Sequence, residues 1–226
     1  MNKKLVVGIF VLGFAVTSSL YAVRANASVE KQIDQNLNGL AKQLQTEVVN
    51  KTDLSMSSNP YDYIKNSTEY SKIVNLGPDA IPILEKKIDE SEGSGLFDYI
   101  FATAIEEISK VNLKEEQSTT WDTGNKFSEK WKVKLSTLPG EVEKIANSDL
   151  SGDEKITSLK KLGLPAVPFI IDQVEGGKTE LFPVVQSLVP DSQAESLAAT
   201  DEVQWAKENK DKFDDLKKYV LSKNNL

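Results

Sequence analysis

The chain has 226 residues, 39% hydrophobic and 27% charged, a balance that supports a folded core in one large domain or two small ones. It has no Cys and no His, which removes thiol nucleophiles, disulfides, imidazole bases and the usual zinc, copper and haem ligand sets. Net charge is −7, and Arg24 is the only arginine, so an acidic body whose cations are lysines argues against binding nucleic acid or anionic lipid.

Residues 1–27 read as a signal peptide. Lys3 and Lys4 precede an apolar run from Leu5 to Val16, and Ala25-Asn26-Ala27 closes the segment with an A-x-A pattern. Cleavage is expected after Ala27. The alternative is an uncleaved anchor over Leu5 to Val23, a length near the ~20 apolar residues that span a bilayer. Lys3, Lys4 and Arg24 lie in this segment, so the remainder carries −10.

Residues 28–58 read as an amphipathic helix and a linker. Ile33, Leu37, Leu40, Leu44 and Val48 recur at steps of three and four, one stripe of a helix. That stripe can pair with a partner helix, or it can dock on the repeat body or act as a stalk, and docking or a stalk is the reading preferred. Asp53 to Pro60 is polar, with Ser55, Ser57, Ser58 and Asn59.

A first helical repeat is expected over residues 59–138. Ser67 is a cap for a helix that ends at Leu76-Gly77. Pro78 opens the next, with Ile81, Leu84 and Ile88 inward and Pro82 at the edge of its first turn. After Gly93-Ser94-Gly95 comes a helix from Leu96 to about Lys110, then one capped by Thr123 and ending near Leu138. A second repeat is expected over residues 139–226. It starts at Pro139 with a short helix carrying Val142 and Ile145. Helices follow from about Gly152 to Leu162, from Pro165 to Glu175 and from Leu181 to Val189. The last is capped by Asp201 and runs to about Ser222. No segment alternates with the period of a strand, so the fold class is all-α.

The two halves resemble each other. Ile64-Lys65-Asn66-Ser67, Leu76-Gly77, Leu96-Phe97 and Trp121 with Asn125-Lys126 recur in order. Their counterparts are Ile145-Ala146-Asn147-Ser148, Leu162-Gly163, Leu181-Phe182 and Trp205 with Asn209-Lys210, at offsets of 81 to 86 residues. The pattern Leu-Gly-x-x-Ala-Ile/Val-Pro, with Gly77 and Pro82 in one copy and Gly163 and Pro168 in the other, resembles HEAT-type helical repeats. More specifically, it resembles exported HEAT-like proteins of Gram-positive bacteria. The resemblance covers roughly Asn59 to Val220 and implies a curved, α-solenoid-like stack of antiparallel helix pairs. Two departures stand out: the usual arginine of the second helix is missing, and each copy is about twice the usual unit.

Candidate site residues are few. Trp121 with Asn125 and Trp205 with Asn209 can form an indole-plus-amide pocket for a sugar or peptide or a helix-locking ladder between repeats; the ladder is the reading preferred, and Trp121 with Asn125 is the pair more open to the pocket reading. Tyr61, Tyr63, Tyr70 and Tyr99 cluster around the first Leu-Gly stop. Tyr61, Tyr63 and Tyr99 are candidate contacts on a binding face. Asn147, Asp149, Ser151, Gly152 and Asp153 echo the start of a calcium loop but lack its closing glutamate, so a capped helix start explains them. Ser158-Leu159-Lys160-Lys161 matches S-x-x-K without the motifs that should accompany it. Glu106-Glu107, Glu115-Glu116 and Asp214-Asp215 are adjacent on their helices and diverge. No catalytic residue, metal or cofactor is expected.

The function expected is a secreted, monomeric, non-enzymatic scaffold for an extracellular protein or peptide. The alternatives are an exported carboxylate-dependent hydrolase acting on cell-wall sugars and a cell-surface structural spacer.

Overall fold

The computed structural model describes residues 27–115, 117–189 and 201–225. The segment read as a signal peptide up to Asn26, and Glu116 of the Glu115-Glu116 pair, lie outside them. Every element among the described residues is an α-helix or a 3-10 turn, with no strand, so the chain is all-α. None of these helices is long and apolar enough to cross a membrane. The chain divides into two compact units after Ala80.

The first unit starts with helix α1, residues 27–49. Of its stripe, Ile33 and Leu40 are fully buried, while Val48 at the end is 62% exposed. A side chain on Gly39 would meet Glu69 Cγ at 2.8 Å, so this glycine lets α1 approach helix α2, Thr68–Val74. The stripe therefore docks within its own unit, one of the two preferred readings. Ser67 caps α2 as expected, accepting from Tyr70 N–H at 3.2 Å. The polar stretch after α1 forms its own 3-10 turn, Asp53–Met56. It is tied to the next turn, Pro60–Tyr63: Ser57 Oγ donates to Asp62, and Tyr63 OH donates to the Ser57 carbonyl at 2.6 Å.

The second unit contains α3 (Ile81–Asp89), α4 (Leu96–Ser109), α5 (Gly124–Ala146), α6 (Gly152–Lys160), α7 (Val167–Glu175), α8 (Phe182–Leu188), α9 (Glu202–Asn209) and α10 (Asp214–Leu221). Helix α5 is the axis of the unit and packs against α3, α4, α6, α7 and α10. Its 23 residues span about 34 Å at 1.5 Å per residue. Phe127, Trp131, Leu135, Leu138 and Val142 recur at steps of three and four and are all buried.

The helix break expected at Leu138-Pro139 does not occur: Pro139 lies inside α5. A mid-helix proline costs a hydrogen bond and a steric clash, of order 3 kcal/mol. Burial of Leu135, Leu138 and Val142 on either side outweighs that local preference. The expected last helix is also subdivided. α9 and α10 are joined by a 3-10 turn, Lys210–Phe213, which keeps Trp205, Asn209, Phe213 and Val220 buried.

The two Leu-Gly stops are locally alike. Gly77 has φ +72° and Gly163 φ +74°, and each leads into a 3-10 turn, Gly77–Ala80 and Leu164–Ala166. A nine-residue helix follows each, α3 with Pro82 and α7 with Pro168 at its second residue. The Trp/Asn landmarks are not alike. Trp121 and Asn125 flank the cap Thr123 at a helix start, whereas Trp205 and Asn209 sit within α9.

Candidate functional site

Trp121 is 4% exposed, and its surroundings close it off. Its Nε1 donates to Glu106 Oε1 at 3.0 Å, which also accepts from Leu113 N–H at 2.8 Å. Lys114 lies over the indole, 3.7 Å from the ring centroid, and donates to Tyr99 OH. Tyr99, half-buried, packs against Trp121 with the rings tilted by 50° and their centroids 4.7 Å apart. Trp121 meets Phe127 edge-on at 5.2 Å, and Phe127 lies parallel to Trp131 at 5.8 Å. This ladder is a packing spine between α4 and α5, with offset and edge contacts typical of aromatic pairs.

The ladder ends in a buried polar network. Trp131 Nε1 donates to Tyr219 OH at 2.8 Å, and Tyr219 OH donates to Glu85 Oε2 at 2.6 Å. Lys223 Nζ pairs with the same oxygen at 2.7 Å. Glu85 is 2% exposed, and its Oε1 has no partner. Burial first, then the Glu85 charge and the hydrogen bond to it, hold the Tyr219 phenol well above its ordinary pKa. The sequence offered no signal for this network beyond an acid in an apolar helix.

Asn125 does not join Trp121 in a pocket. It is exposed, and its Nδ2 donates to the Glu92 carbonyl at 2.9 Å while its N–H donates to Gly93 O at 3.0 Å. A Cβ on Gly93 would lie 1.8 Å from Asn125 Oδ1, so the amide fills the space that a glycine leaves. Asn125 clasps the loop between α3 and α4. Asn209 is buried, as its place in the stripe implied, but its amide donates to the Trp205 carbonyl at 2.9 Å within its own helix. Trp205 packs edge-on to Phe182 at 5.1 Å, and its Nε1 has no partner.

The calcium-loop echo is a helix start. Ser151 and Glu154 form a capping box, and Lys178 donates to Asn147 Oδ1. Among the described residues no three acidic side chains gather as a cation site would need.

Two clefts among the described residues carry polar groups on their walls. In the second unit a cleft of about 330 Å³ is lined by Val111, Leu113, Lys134, Glu141, Ser158 and Lys161, among others. Ser158 and Lys161 thus share a wall, but no hydrogen bond joins them. Burial would raise the Glu141 carboxyl, but hydrogen bonds from Lys134 and Thr137 and the charges of Lys134 and Lys144 hold it below its ordinary pKa. Glu141 therefore stays ionised and is unsuited to be a general acid.

In the first unit a cleft of about 320 Å³ is lined by Gln43, Asp53, Ser57, Asp62, Tyr63 and Asn66, among others. Tyr63 forms a wall of this cleft, while Tyr61 is 40% exposed and Tyr70 is 5% exposed. Of the candidate contacts, Tyr61 and Tyr63 share one turn but only Tyr63 lines this cleft, while Tyr99 and Trp121 pack on each other in the second unit. Compared with known proteins, the chain matches no family model and no solved structure.

Proposed function

We propose that the chain is a secreted, non-enzymatic helical-repeat scaffold that binds an extracellular protein or peptide through its first unit. The observation that carries this reading is the distribution of exposed apolar side chains. Val48 (62%), Val49 (71%), Met56 (77%) and Tyr61 (40%) fall within one short run, from the end of α1 through the two turns after it. Val133, Leu150 and Leu221, the other large exposed apolar residues among those described, are scattered along the chain. A concentration of exposed apolar and aromatic groups marks a contact surface, whereas isolated ones are ordinary. The matched turns after Gly77 and Gly163 support the repeat reading, and the all-α fold is compatible with a curved stack.

The test places a photo-crosslinking residue at position 61 and, as a control, at 133 of the exported chain. A discrete extracellular partner captured from 61 alone is expected. Met56→Ser with Tyr61→Ser should then weaken binding of that purified partner by about tenfold or more, as loss of a hot spot does. Equal capture from both positions, or unchanged affinity in the double variant, would overturn the proposal.

A further inference from the structure

We propose that the cleft of the first unit is a binding site for a neutral, hydroxyl-rich ligand, a saccharide unit. Two polar side chains of the cleft, both exposed, have no protein partner. Within this cleft the Asp53 carboxylate and the Asn66 amide make no hydrogen bond or ion pair to the described residues. Gln43 accepts through Oε1 from Ser67 Oγ at 3.4 Å, which leaves its Nε2 donors unengaged. Together they provide two planar amides and one carboxylate. Adjacent ring hydroxyls, each donor and acceptor at once, bond well to such a set.

The aromatic wall is fixed independently. Tyr63 OH is engaged by the Ser57 carbonyl at 2.6 Å, so the ring is held in place and its apolar body remains a wall of the cleft. Sugar rings carry apolar C–H faces that pack on such a surface. The remaining charges cancel. Lys65 pairs with Asp62 at 3.0 Å, leaving Asp53 as the one unpaired charge of the lining. A net negative cleft disfavours phosphates, nucleotides and other anions.

Volume limits the ligand. About 320 Å³ lies at the lower end of small-molecule clefts, so it suits one or two sugar rings and not a polymer. The site binds and does not hydrolyse. Hydrogen bonds from Ser57 and Lys65 hold Asp62 below its ordinary pKa, which makes it an acceptor and not a general acid. This inference stands apart from the peptide surface proposed above, and either can fail without the other.

The test titrates the full chain with the N-acetylglucosamine dimer, maltose and a lysine tripeptide, followed by NMR shifts and calorimetry. Saturable binding of at least one sugar is expected, with a dissociation constant of about 1 mM and the largest shifts at Asn66 and Tyr63. Asn66→Ala and Asp53→Ala should each weaken it about five- to tenfold while leaving the thermal midpoint unchanged, because neither side chain holds the fold. Tyr63→Phe should keep most of the affinity and Tyr63→Ala lose it, which separates ring packing from the hydroxyl tether. No saturable shift with either sugar overturns the proposal. So does binding of the lysine tripeptide alone, which would make Asp53 a cation site.

Discussion

The Tyr219 hydroxyl accepts from Trp131 and donates to Glu85, so its loss strips a partner from two buried groups at once. Tyr219→Phe should destabilise the chain by about 1–3 kcal/mol, read as a lower denaturant midpoint at neutral pH. The same residue sets a pH dependence. In the unfolded chain a tyrosine titrates near about 10, and in the folded chain this one is held well above that. Its contribution is complete below about pH 10 and is lost as pH rises further, at up to about 1.4 kcal/mol per unit, because only the unfolded state releases the proton. Urea midpoints at about pH 9 and about pH 11 should diverge more for the native chain than for Tyr219→Phe. Lys223 is the only cation paired with Glu85 among the described residues. Lys223→Met should therefore cost about 3–5 kcal/mol, and Glu85→Met with Lys223→Met much less, because the pair removed together leaves no buried charge. Trp131 and Tyr219 lie on apolar helical stripes or beside them, and Glu85 sits among Ile81, Leu84 and Ile88 on the inner face of α3. The partnership of Trp131 with Tyr219 spans 88 residues, and helical periodicity says nothing about contacts at that separation.

Two glycines at matching stops should respond differently. Gly163 has φ +74°, and a Cβ there would lie 2.5 Å from the Ser109 carbonyl oxygen. Gly77 has φ +72° with nothing within 4 Å. Gly77→Ala should cost about 1–2 kcal/mol from backbone strain alone, and Gly163→Ala clearly more, since Ser109 must also shift. Thermal midpoints of the two variants measure the difference. Within α5, Gly140 is exposed and has open space around it. Gly140→Ala should stabilise by about 0.5–1 kcal/mol, checked by the same melts, since alanine lowers the entropy of the unfolded chain and suits a helix interior. Caps and stops were legible in the sequence: Ser67, Thr123 and Asp201 all accept the N–H bonds assigned to them. The continuity of α5 was not. Pro139-Gly140 is a strong local breaker, and only the packing on both sides of it carries the helix through.

For the whole molecule, the export reading gives a direct measurement. Intact mass of the chain from culture medium and from the membrane fraction is expected to show a released form beginning at Ser28. A membrane-bound chain beginning near Met1 would make Leu5 to Val23 an anchor and redirect the search for partners to the membrane. The sequence by itself determined the all-α class, the caps, the two positive-φ glycine stops and the burial of Ile81, Leu84 and Ile88. These follow from φ/ψ preference and from a period of 3.6, both of which act within a few residues. Tertiary structure alone decided which aromatic residues are closed off. Trp121 reads in sequence as either a pocket indole or a packing residue, and Glu106, Lys114 and Tyr99 surround it. It also decided that Tyr63 faces a cleft with Asp53 and Asn66, and that Glu85, Tyr219 and Lys223 meet. Burial and hydrogen-bond partnership depend on which segments pack together, and that is a property of the folded chain rather than of any window along it.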